Sequence, residues 1–370
     1  MRVTFDHQAF SLQRTGGITR YFYELINGLS NLATDVQITA LLGFSTSVWP
    51  LADALQGSGG MIRLGPQLFR STRTTYALNE MISGVVSFGL KKADIYHSTL
   101  YRFLPSVRAR RKVATNHDCI HELFPELYPN HARVAAMKRR MFSEADLIFC
   151  VSEASRQDMQ KFYSIEDAKI RVVHHGVALL PRSESGRKKL EKLIQRPFVL
   201  YVGLRGLYKN FSGLLKAFAS SGAARDFDLL AVGGGAPTET EQHTVAALGL
   251  CNSVKWLPLA DLPLLAEAYA SATLFVYPSL HEGFGMPPLE AMLAGCPTLV
   301  ASNSATQEVC KDASTFFDPY DAQDFTDKLA HLLKNDVERL KNIGKGVELA
   351  NSYTWEKAVR KTLAGYQAIL

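Results

Sequence analysis

Short apolar runs alternate with helical patterns along the whole chain. Between many of these runs, apolar residues recur at steps of three and four, as in 18–29, 155–162, 211–218 and 287–294. Such alternation predicts an α/β fold in which helices cover both faces of parallel sheets. The apolar runs that predict strands are 3–5, 36–42, 95–96, 113–115, 147–151, 172–173, 198–202, 229–232, 254–257, 274–277 and 298–301.

So many strands exceed what one ordinary twisted sheet holds. The polar segment 181–196, PRSESGRKKLEKLIQR, divides the series near its middle. We therefore expect two doubly wound, Rossmann-like domains that join at this segment and have a cleft between them, the first at 1–180 and the second at 181–350. After them, residues 354–370 show helical spacing with no strand to follow, which predicts a terminal helix that packs on an element already formed.

Composition narrows the class of protein. Apolar residues make up 47% and charged residues 21% of the chain, which excludes wholesale disorder and a fibrous repeat. No stretch approaches the roughly 18 consecutive apolar residues of a bilayer-spanning helix. The five cysteines stand singly, with no CxxC, which favours reduced thiols in a cytoplasmic protein over a zinc ribbon or a disulfide framework.

The net charge of +6 is unevenly placed. Lys and Arg number 21 against 15 Asp and Glu in residues 1–180, and 20 against 20 in 181–370. Two readings remain open for this excess: an anionic partner, such as a phosphate-bearing substrate or an acidic membrane face, or a solvated helix face. No aromatic residues interleave with the cations, so a nucleic-acid platform is not expected. The excess is concentrated at Arg108, Arg110, Arg111, Lys112, Lys138, Arg139 and Arg140.

Ligands of open parallel sheets bind beyond the carboxyl ends of the strands. Six of the ten histidines fall at or just past such ends. This clustering favours a site there, but it does not indicate which of the histidines takes part. They are His7, His97, His117, His174, His175 and His281.

Glycine placement offers a further, weaker signal. Gly16 and Gly17 precede the helix expected near Ile18, where backbone amides could approach an anion, although a tight turn explains the pair equally well. The chain contains no GxGxxG and no GxxxxGK[ST], which disfavours nicotinamide enzymes and P-loop NTPases.

The second half carries two stronger constellations. In FVLYVGLRGLYKNFSGLLKAF, a buried strand runs into Gly203, then Arg205 and Lys209, then a helix for which Asn210 is the expected N-cap. A diphosphate would find two charge-assisted partners and helix-end amides there. The alternative is a surface loop with two ordinary basic residues.

The second constellation is LFVYPSLHEGFGMPPLEAMLAGCPTLVAS. Pro287 and Pro288 are expected to start a helix that Gly295 ends, with Glu282 in the preceding loop and Glu290 in the first helical turn. Carboxylates at a helix entrance suit sugar hydroxyls, and the exposed amides of the glycine-rich loop suit a phosphate. Glu290 has an alternative reading as a favourable first-turn acid.

These residues resemble a known family. EGFGMPPLEAM is similar to the E-x7-E signature of retaining glycosyltransferases of the two-domain GT-B architecture. YVGLRGLYKNFSGLLKAF, VSEASRQDM and HHGV resemble companion segments of glycosyltransferase family 4. FDHQAFSLQRTGGITRYFYEL and NHDCIHELFPELYP resemble its branch of bacterial surface-polysaccharide mannosyltransferases, of the O-antigen and capsule type. The resemblance spans nearly the whole chain and is weakest in 44–90.

The resemblance implies a donor site in the second domain. Glu290 would bind the nucleotide ribose hydroxyls. Glu282 would hold the donor sugar, together with the loop residues Gly283, Phe284, Gly285 and Met286, whose amides would also meet phosphate oxygens. The first domain would receive the acceptor, and residues 351–370 would cross back to it as a helix.

Catalytic roles are implied as well. Arg205 and Lys209 would neutralise the departing diphosphate, although Leu204 intervenes where the family usually has the arginine directly after the glycine. Gly17 would lie against the phosphates from the opposite domain. His117 would bond the transferring sugar near its anomeric carbon, and it is favoured over His121 because it ends a strand.

The implied reaction transfers a hexose, with mannose favoured, from a nucleotide sugar to a hydroxyl of a glycan or a glycan linked to a lipid diphosphate, with retention of configuration. GDP-mannose is the favoured donor, with UDP-hexoses and dTDP-rhamnose as alternatives. No metal or other cofactor is expected, and Asp226-Phe227-Asp228 is interpreted as a strand lead-in, not a metal motif. We expect a cytoplasmic enzyme attached peripherally to the inner face of the cytoplasmic membrane. Two other functions stay open: a sugar-nucleotide epimerase or hydrolase on the same fold, and a non-enzymatic module that binds anionic lipid.

Overall fold

The computed structural model describes residues 1–13, 16–33, 35–45, 59–66, 71–258 and 261–370. The chain divides into two compact units, one formed by Met1–Gly176 with Trp355–Leu370 and the other by Val177–Thr354. In these ranges, no helix is both long and apolar enough to cross a membrane.

The first unit is built around a parallel sheet with the order β3-β2-β1-β4-β5-β6-β7. Its strands are β1 (Arg2–Phe5), β2 (Gln37–Ser45), β3 (Gly59–Pro66), β4 (Ala93–His97), β5 (Ala109–Asn116), β6 (Leu147–Cys150) and β7 (Ile170–Val172). The helices that connect them are α1 (Gln8–Leu12), α2 (Gly17–Leu32), α3 (Thr72–Gly89), α4 (Ile120–Leu123), α5 (His131–Glu144) and α6 (Glu153–Phe162).

The second unit repeats the plan with a parallel sheet of order β10-β9-β8-β11-β12-β13. Its strands are β8 (Phe198–Val202), β9 (Asp228–Val232), β10 (Val254–Leu257), β11 (Leu274–Tyr277), β12 (Thr298–Ala301) and β13 (Thr315–Phe317). Its helices are α7 (Glu184–Leu193), α8 (Phe211–Ser220), α9 (Glu239–Ala247), α10 (Leu262–Ser271), α11 (Met286–Leu293), α12 (Ser304–Cys310), α13 (Ala322–Lys334) and α14 (Asp336–Ser352), after which α15 (Trp355–Ala368) returns to the first unit.

The predicted fold class, two doubly wound parallel sheets, is confirmed. Every apolar run that predicted a strand is one, but β3 and β13 were missed. β3 has the glycine-rich sequence GGMIRLGP and β13 has only three residues, so neither shows the apolar run that marks a buried strand.

The segment 181–196, at which we expected the domains to join, begins four residues after Val177, the first residue of the second unit. Most of it is helix α7, capped by the side chain of Ser183, which accepts from the amide of Gly186. Leu190 and Ile194 are buried in the core of the second unit, with one face of α7 packed on α10. The many charged residues form the solvated side of an amphipathic helix, which is why the segment resembled a linker.

Helix α15 completes the core of the first unit. Val359 and Tyr366 pack with residues of β1 and α2 such as Phe5 and Phe22. A Cβ added at Gly28 of α2 would lie 2.4 Å from Val359 Cγ2, so glycine permits this close helix contact.

One buried hydrogen-bond chain fixes α15 to the sheet. His97 Nδ1 lies 2.6 Å from the Tyr366 hydroxyl, and His97 Nε2 lies 2.8 Å from Thr115 Oγ1. Both His97 and Tyr366 are fully buried. His97 is therefore a structural histidine, with both ring nitrogens engaged.

Replacing Tyr366 by Phe should lower the free energy of unfolding by about 1–3 kcal/mol, because it leaves a buried imidazole nitrogen without its partner. Urea unfolding of the full chain measures the change. Tyr320→Phe is the matched control, since Tyr320 is exposed and its hydroxyl can bond to water. Equal stability of the Tyr366 variant and the wild type would contradict this role for the hydroxyl.

Candidate functional site

The site of the second unit lies where the order of its sheet reverses. β8 has β9 on one side and β11 on the other, so the loops after β8 and β11 leave neighbouring strands in opposite directions. This is the position at which open α/β sheets bind ligands. Lys209 follows β8 and Glu282 follows β11, and the structure brings them together: Lys209 Nζ lies 2.6 Å from Glu282 Oε1.

Several contacts hold this ion pair in place. The amide of Leu280 donates to the carbonyl oxygen of Tyr208 at 2.8 Å, which ties the two loops together. The Lys209 ammonium lies 4.9 Å from the centre of the Tyr208 ring and 5.6 Å from that of Tyr277. Burial, and then the charge of Glu282, raises the pKa of Tyr277 well above its usual value, so its hydroxyl stays protonated. Lys209 and Glu282 are themselves largely buried.

Helix α11 follows the glycine-rich loop. Gly285 is its N-cap with φ +91°, a conformation that side chains other than glycine rarely adopt. At the other end Gly295, with φ +76°, donates to the carbonyl of Met292 at 3.0 Å, so the expected helix stop is confirmed. The amides of the first turn have no acceptor within the helix.

Glu290 lies in the second turn of α11, so the expectation of a first-turn acid is wrong. The helix begins at Met286, before the two prolines, which moves Glu290 away from the helix end and weakens its interpretation as a dipole-stabilising acid. Its Oε2 accepts from the hydroxyl of Tyr269 on α10 at 2.9 Å. Sequence reasoning missed Tyr269, because nothing in its helical pattern marks it as polar-facing.

Asn210 precedes α8 as expected, but its side chain caps no amide. Its backbone is left-handed, with φ 53°, a conformation that asparagine tolerates better than most residues. Its carbonyl accepts from the amide of Leu214. The residue thus turns the chain between Lys209 and the helix.

Arg205 is buried and pairs with Glu241, whereas Lys209 pairs with Glu282. Its Nε donates to Glu241 Oε1 at 2.9 Å, and its guanidinium also donates to the carbonyl oxygens of residues 233–236. It stacks 5.0 Å from the Trp256 ring centre. Residues 233–235 are three successive glycines with positive φ, a signal directly after a buried strand that sequence reasoning missed.

The predicted residues of the first unit lie close to each other. Gly17 is the first residue of α2, and its neighbour Ile18 lines a small cavity together with His117, which follows β5. Tyr21, one turn into α2, has its ring centre 5.3 Å from that of His117 and 4.7 Å from that of His175. His117 is half-buried as a residue, but its Nε2 is buried and has no hydrogen-bond partner among the residues described.

Burial keeps these imidazoles neutral. It lowers the pKa of His117 to about 4, against an opposing effect of the Asp118 carboxylate. It lowers the pKa of His97 to about 3 and that of His175 well below its usual value. At neutral pH the group is thus an uncharged set of hydrogen-bonding rings.

The expected basic surface is largely neutralised. Arg111 pairs with Asp146 and Lys112 with Glu144, which Arg140 also contacts. Lys138 is not on the surface at all: it is buried and pairs with Glu122 at 3.1 Å. It also donates to the carbonyl of Asp118 at 2.9 Å, beside His117. The interpretation of Lys138 as part of a solvated helix face is therefore wrong.

Asp226 and Asp228 lie at the beginning of β9, the edge of the sheet opposite to Lys209 and Glu282. Asp228 is buried and contacts Arg196 at 3.4 Å. Among the residues that the structure describes, no three His, Cys, Asp or Glu side chains cluster as metal ligands would.

Comparison with protein families decides the class. Residues 15–179 match the model of Glycosyltransferase Family 4, and residues 183–348 match that of Glycosyl transferases group 1. The chain belongs to glycosyltransferase family 4. The two matches divide close to the boundary between the structural units, so each unit of this glycosyltransferase corresponds to one of the family's two domains.

Individual proteins agree with this. The chain is 29% identical to O-antigen chain mannosyltransferase B of Escherichia coli over 75% of each chain. Its fold is similar to that of sucrose-phosphate synthase from Thermosynechococcus elongatus, with TM-score 0.76, 17% identity and coverage of 100% and 98%. It is also similar to Anabaena HepE, solved in complex with UDP-glucose, with TM-score 0.73, 16% identity and full coverage of both chains.

The depressed histidine pKa values predict acid sensitivity. An unfolded histidine titrates near 6.5, so the stabilisation by neutral His97 is complete above that pH and is lost progressively as the pH falls toward 3. At pH 5 the loss from His97 alone should reach about 2 kcal/mol. Thermal unfolding midpoints between pH 7.5 and 5 measure it.

His97→Gln should flatten this pH dependence even though it lowers stability overall. His243→Gln is the control, because His243 is exposed and lies on α9. A pH dependence in the His97 variant as steep as that of the wild type would show that this imidazole does not titrate as described.

Proposed function

We propose that this glycosyltransferase transfers mannose from GDP-mannose to a hydroxyl of a glycan or lipid-diphosphate-linked glycan, with retention of configuration and without a metal, in the assembly of a bacterial surface polysaccharide. The observation that carries the proposal is the Lys209–Glu282 pair beside the start of α11, with Glu290 one turn further on. The name of the Escherichia coli relative supports mannose and O-antigen synthesis.

The leaving group requires fixed positive charge. When the bond between sugar and diphosphate breaks, the diphosphate gains negative charge, which a preorganised ammonium and helix-end amides stabilise. Lys209 is anchored between two aromatic rings within reach of Glu282. We propose that its ammonium contacts the leaving diphosphate directly and neutralises part of its charge.

In the conformation observed, Arg205 would contribute to donor binding indirectly, by holding the loop after β9. Its guanidinium is bound to Glu241 and to the carbonyls of the loop after β9, so it shapes that loop. A direct contact with the diphosphate would require the side chain to exchange these acceptors for phosphate oxygens. Lys209 is therefore the stronger candidate for charge neutralisation.

Carboxylates bind the two sugars of the donor. We assign the hexose to Glu282, together with the amides of Gly283 through Met286, and the ribose hydroxyls to Glu290. Tyr269 donates to Oε2 of Glu290, which orients the carboxylate for hydrogen bonds with hydroxyl groups.

For the first unit we propose that the Gly17 amide, at the start of a 16-residue helix, meets phosphate oxygens. His117, kept neutral by burial, bonds a hydroxyl of the transferring sugar through Nε2. A neutral imidazole suits this role, because a cation there would oppose the positive charge that develops on the sugar ring. We further propose that the acceptor's lipid brings the enzyme to the inner face of the cytoplasmic membrane.

The proposed activity is tested by incubating the chain with GDP-mannose, UDP-glucose or dTDP-rhamnose, with and without an alkyl mannoside and EDTA. Acceptor-dependent release of GDP, unaffected by EDTA, with an α-linked product by NMR is the expected result. Full turnover without acceptor would instead identify an epimerase or hydrolase.

Lys209→Met should lower kcat by about 100-fold, because one charged donor to the leaving group is lost. Steady-state nucleotide release measures it. Lys216→Met is the matched control, since Lys216 lies exposed on the following helix α8. Wild-type kinetics in the Lys209 variant would overturn the assignment.

Glu290→Gln should weaken GDP binding by at least tenfold, and Tyr269→Phe by about three- to tenfold, the usual value of one hydrogen bond. Isothermal titration calorimetry measures both. If Tyr269 acts only through Glu290, the double variant should bind no worse than Glu290→Gln. Additive losses would show that Tyr269 acts independently of the carboxylate.

A further inference from the structure

Helix α3 buries mainly polar residues and exposes three large apolar ones. The residues buried against the first unit are Thr75, Asn79, Ser83 and Ser87, all polar. The exposed side carries Met81, Val85 and Phe88, whose surfaces are 70%, 79% and 88% exposed. We call these three residues the α3 stripe. A water-facing helix ordinarily shows the opposite arrangement.

The reversal is fixed by hydrogen bonds on the inner face. Asn79 donates to Ser11 Oγ and to the carbonyl of Phe44, each at 2.7 Å, and accepts from the Phe44 amide at 2.7 Å. Turning α3 about its axis to bury the stripe would break all three bonds and bury unsatisfied polar groups. The stripe is therefore held outward by its own fold.

The α3 stripe forms a continuous apolar face. Its members are spaced four and three residues apart, which places them on one side of the helix. Between them lies Gly84, at which an added Cβ would meet no atom within 4 Å.

Cations surround the ends of the stripe. Exposed Lys91 and Lys92 directly follow the helix, and Arg108 donates to the carbonyls of Phe88 and Leu90 at 3.5 and 3.3 Å. Arg73 lies exposed in the first turn. Within the described ranges, none of these four has a carboxylate within 4.0 Å, unlike Arg111, Lys112 and Arg140.

An apolar stripe with exposed cations at its ends matches a surface that is apolar inside and anionic outside. We propose that the α3 stripe and its cations, Arg73, Lys91, Lys92 and Arg108, form a membrane-docking surface for anionic phospholipid. Met81, Val85 and Phe88 enter the boundary between headgroups and acyl chains, while the lysines and arginines reach the lipid phosphates. The reason for docking there rests on the proposed function, since a lipid-linked acceptor confines the reaction to a bilayer surface.

The test is flotation of the full chain with vesicles of phosphatidylglycerol and phosphatidylcholine, or of phosphatidylcholine alone. The wild type should float with the anionic vesicles and at least tenfold less with the neutral ones. Val85→Asp/Phe88→Asp and Lys91→Glu/Lys92→Glu should each reduce the bound fraction at least tenfold. Because all four positions are exposed, these variants should fold normally.

Val337→Asp/Leu340→Asp is the matched control. These residues are 78% and 67% exposed on α14 of the second unit, with the same spacing of three, so the substitution changes charge and exposed apolar surface alike. The control should float as the wild type does. Flotation of Val85→Asp/Phe88→Asp with the wild type, or absence of wild-type flotation, would overturn the proposal.

A protein occupant gives a different result. If sedimentation velocity shows that the wild type self-associates, that Val85→Asp/Phe88→Asp does not, and that neither binds vesicles, the stripe is an interface between two copies and the proposal fails. Nucleotide release with a soluble alkyl mannoside should be unchanged in Val85→Asp/Phe88→Asp and in Lys91→Glu/Lys92→Glu. Failure of the proposed function would abolish that release in every variant but leave the flotation results intact.

Discussion

The ion pair between Lys209 and Glu282 joins two loops that leave neighbouring strands of a parallel sheet. A largely buried pair gains little net stability, since desolvation offsets most of the attraction between its charges. The main effect of the pair is to fix the positions of the two side chains. It sets an ammonium and a carboxylate at a fixed distance beside the start of helix α11.

The same sheet geometry recurs in the first unit, where the order reverses between β1 and β4. There the ends of β1 and β4 carry buried polar groups that hydrogen-bond to one another and to neighbouring helices. Asp6 accepts from Tyr96, Thr99 and Gln8, and His97 reaches helix α15. The two units thus place different chemistry at equivalent strand ends, buried hydrogen-bonded groups in one and a lysine–glutamate pair in the other.

Helix α3 departs from the rule that apolar faces turn inward, and Lys138 departs from the rule that lysines turn outward. Local rules of this kind are broken where another requirement outweighs them. For Lys138 the requirement is internal, because Glu122 and the Asp118 carbonyl satisfy it. For α3, Asn79 satisfies the polar groups of the inner face. The exposed apolar stripe is explained by the proposed docking on a membrane.

The amino-acid sequence by itself determined the α/β class, the two-sheet architecture and the family, because buried parallel strands leave uninterrupted apolar runs and because glycines and prolines mark helix ends. It also placed Lys209 and Glu282 at strand ends. It did not determine their pairing, the partner of Arg205, the contribution of Tyr269 or the burial of Lys138. Those depend on residues 16 to 73 positions apart that meet only when neighbouring strands and helices pack. The direction in which α3 faces was likewise decided by tertiary hydrogen bonds, which no local periodicity encodes.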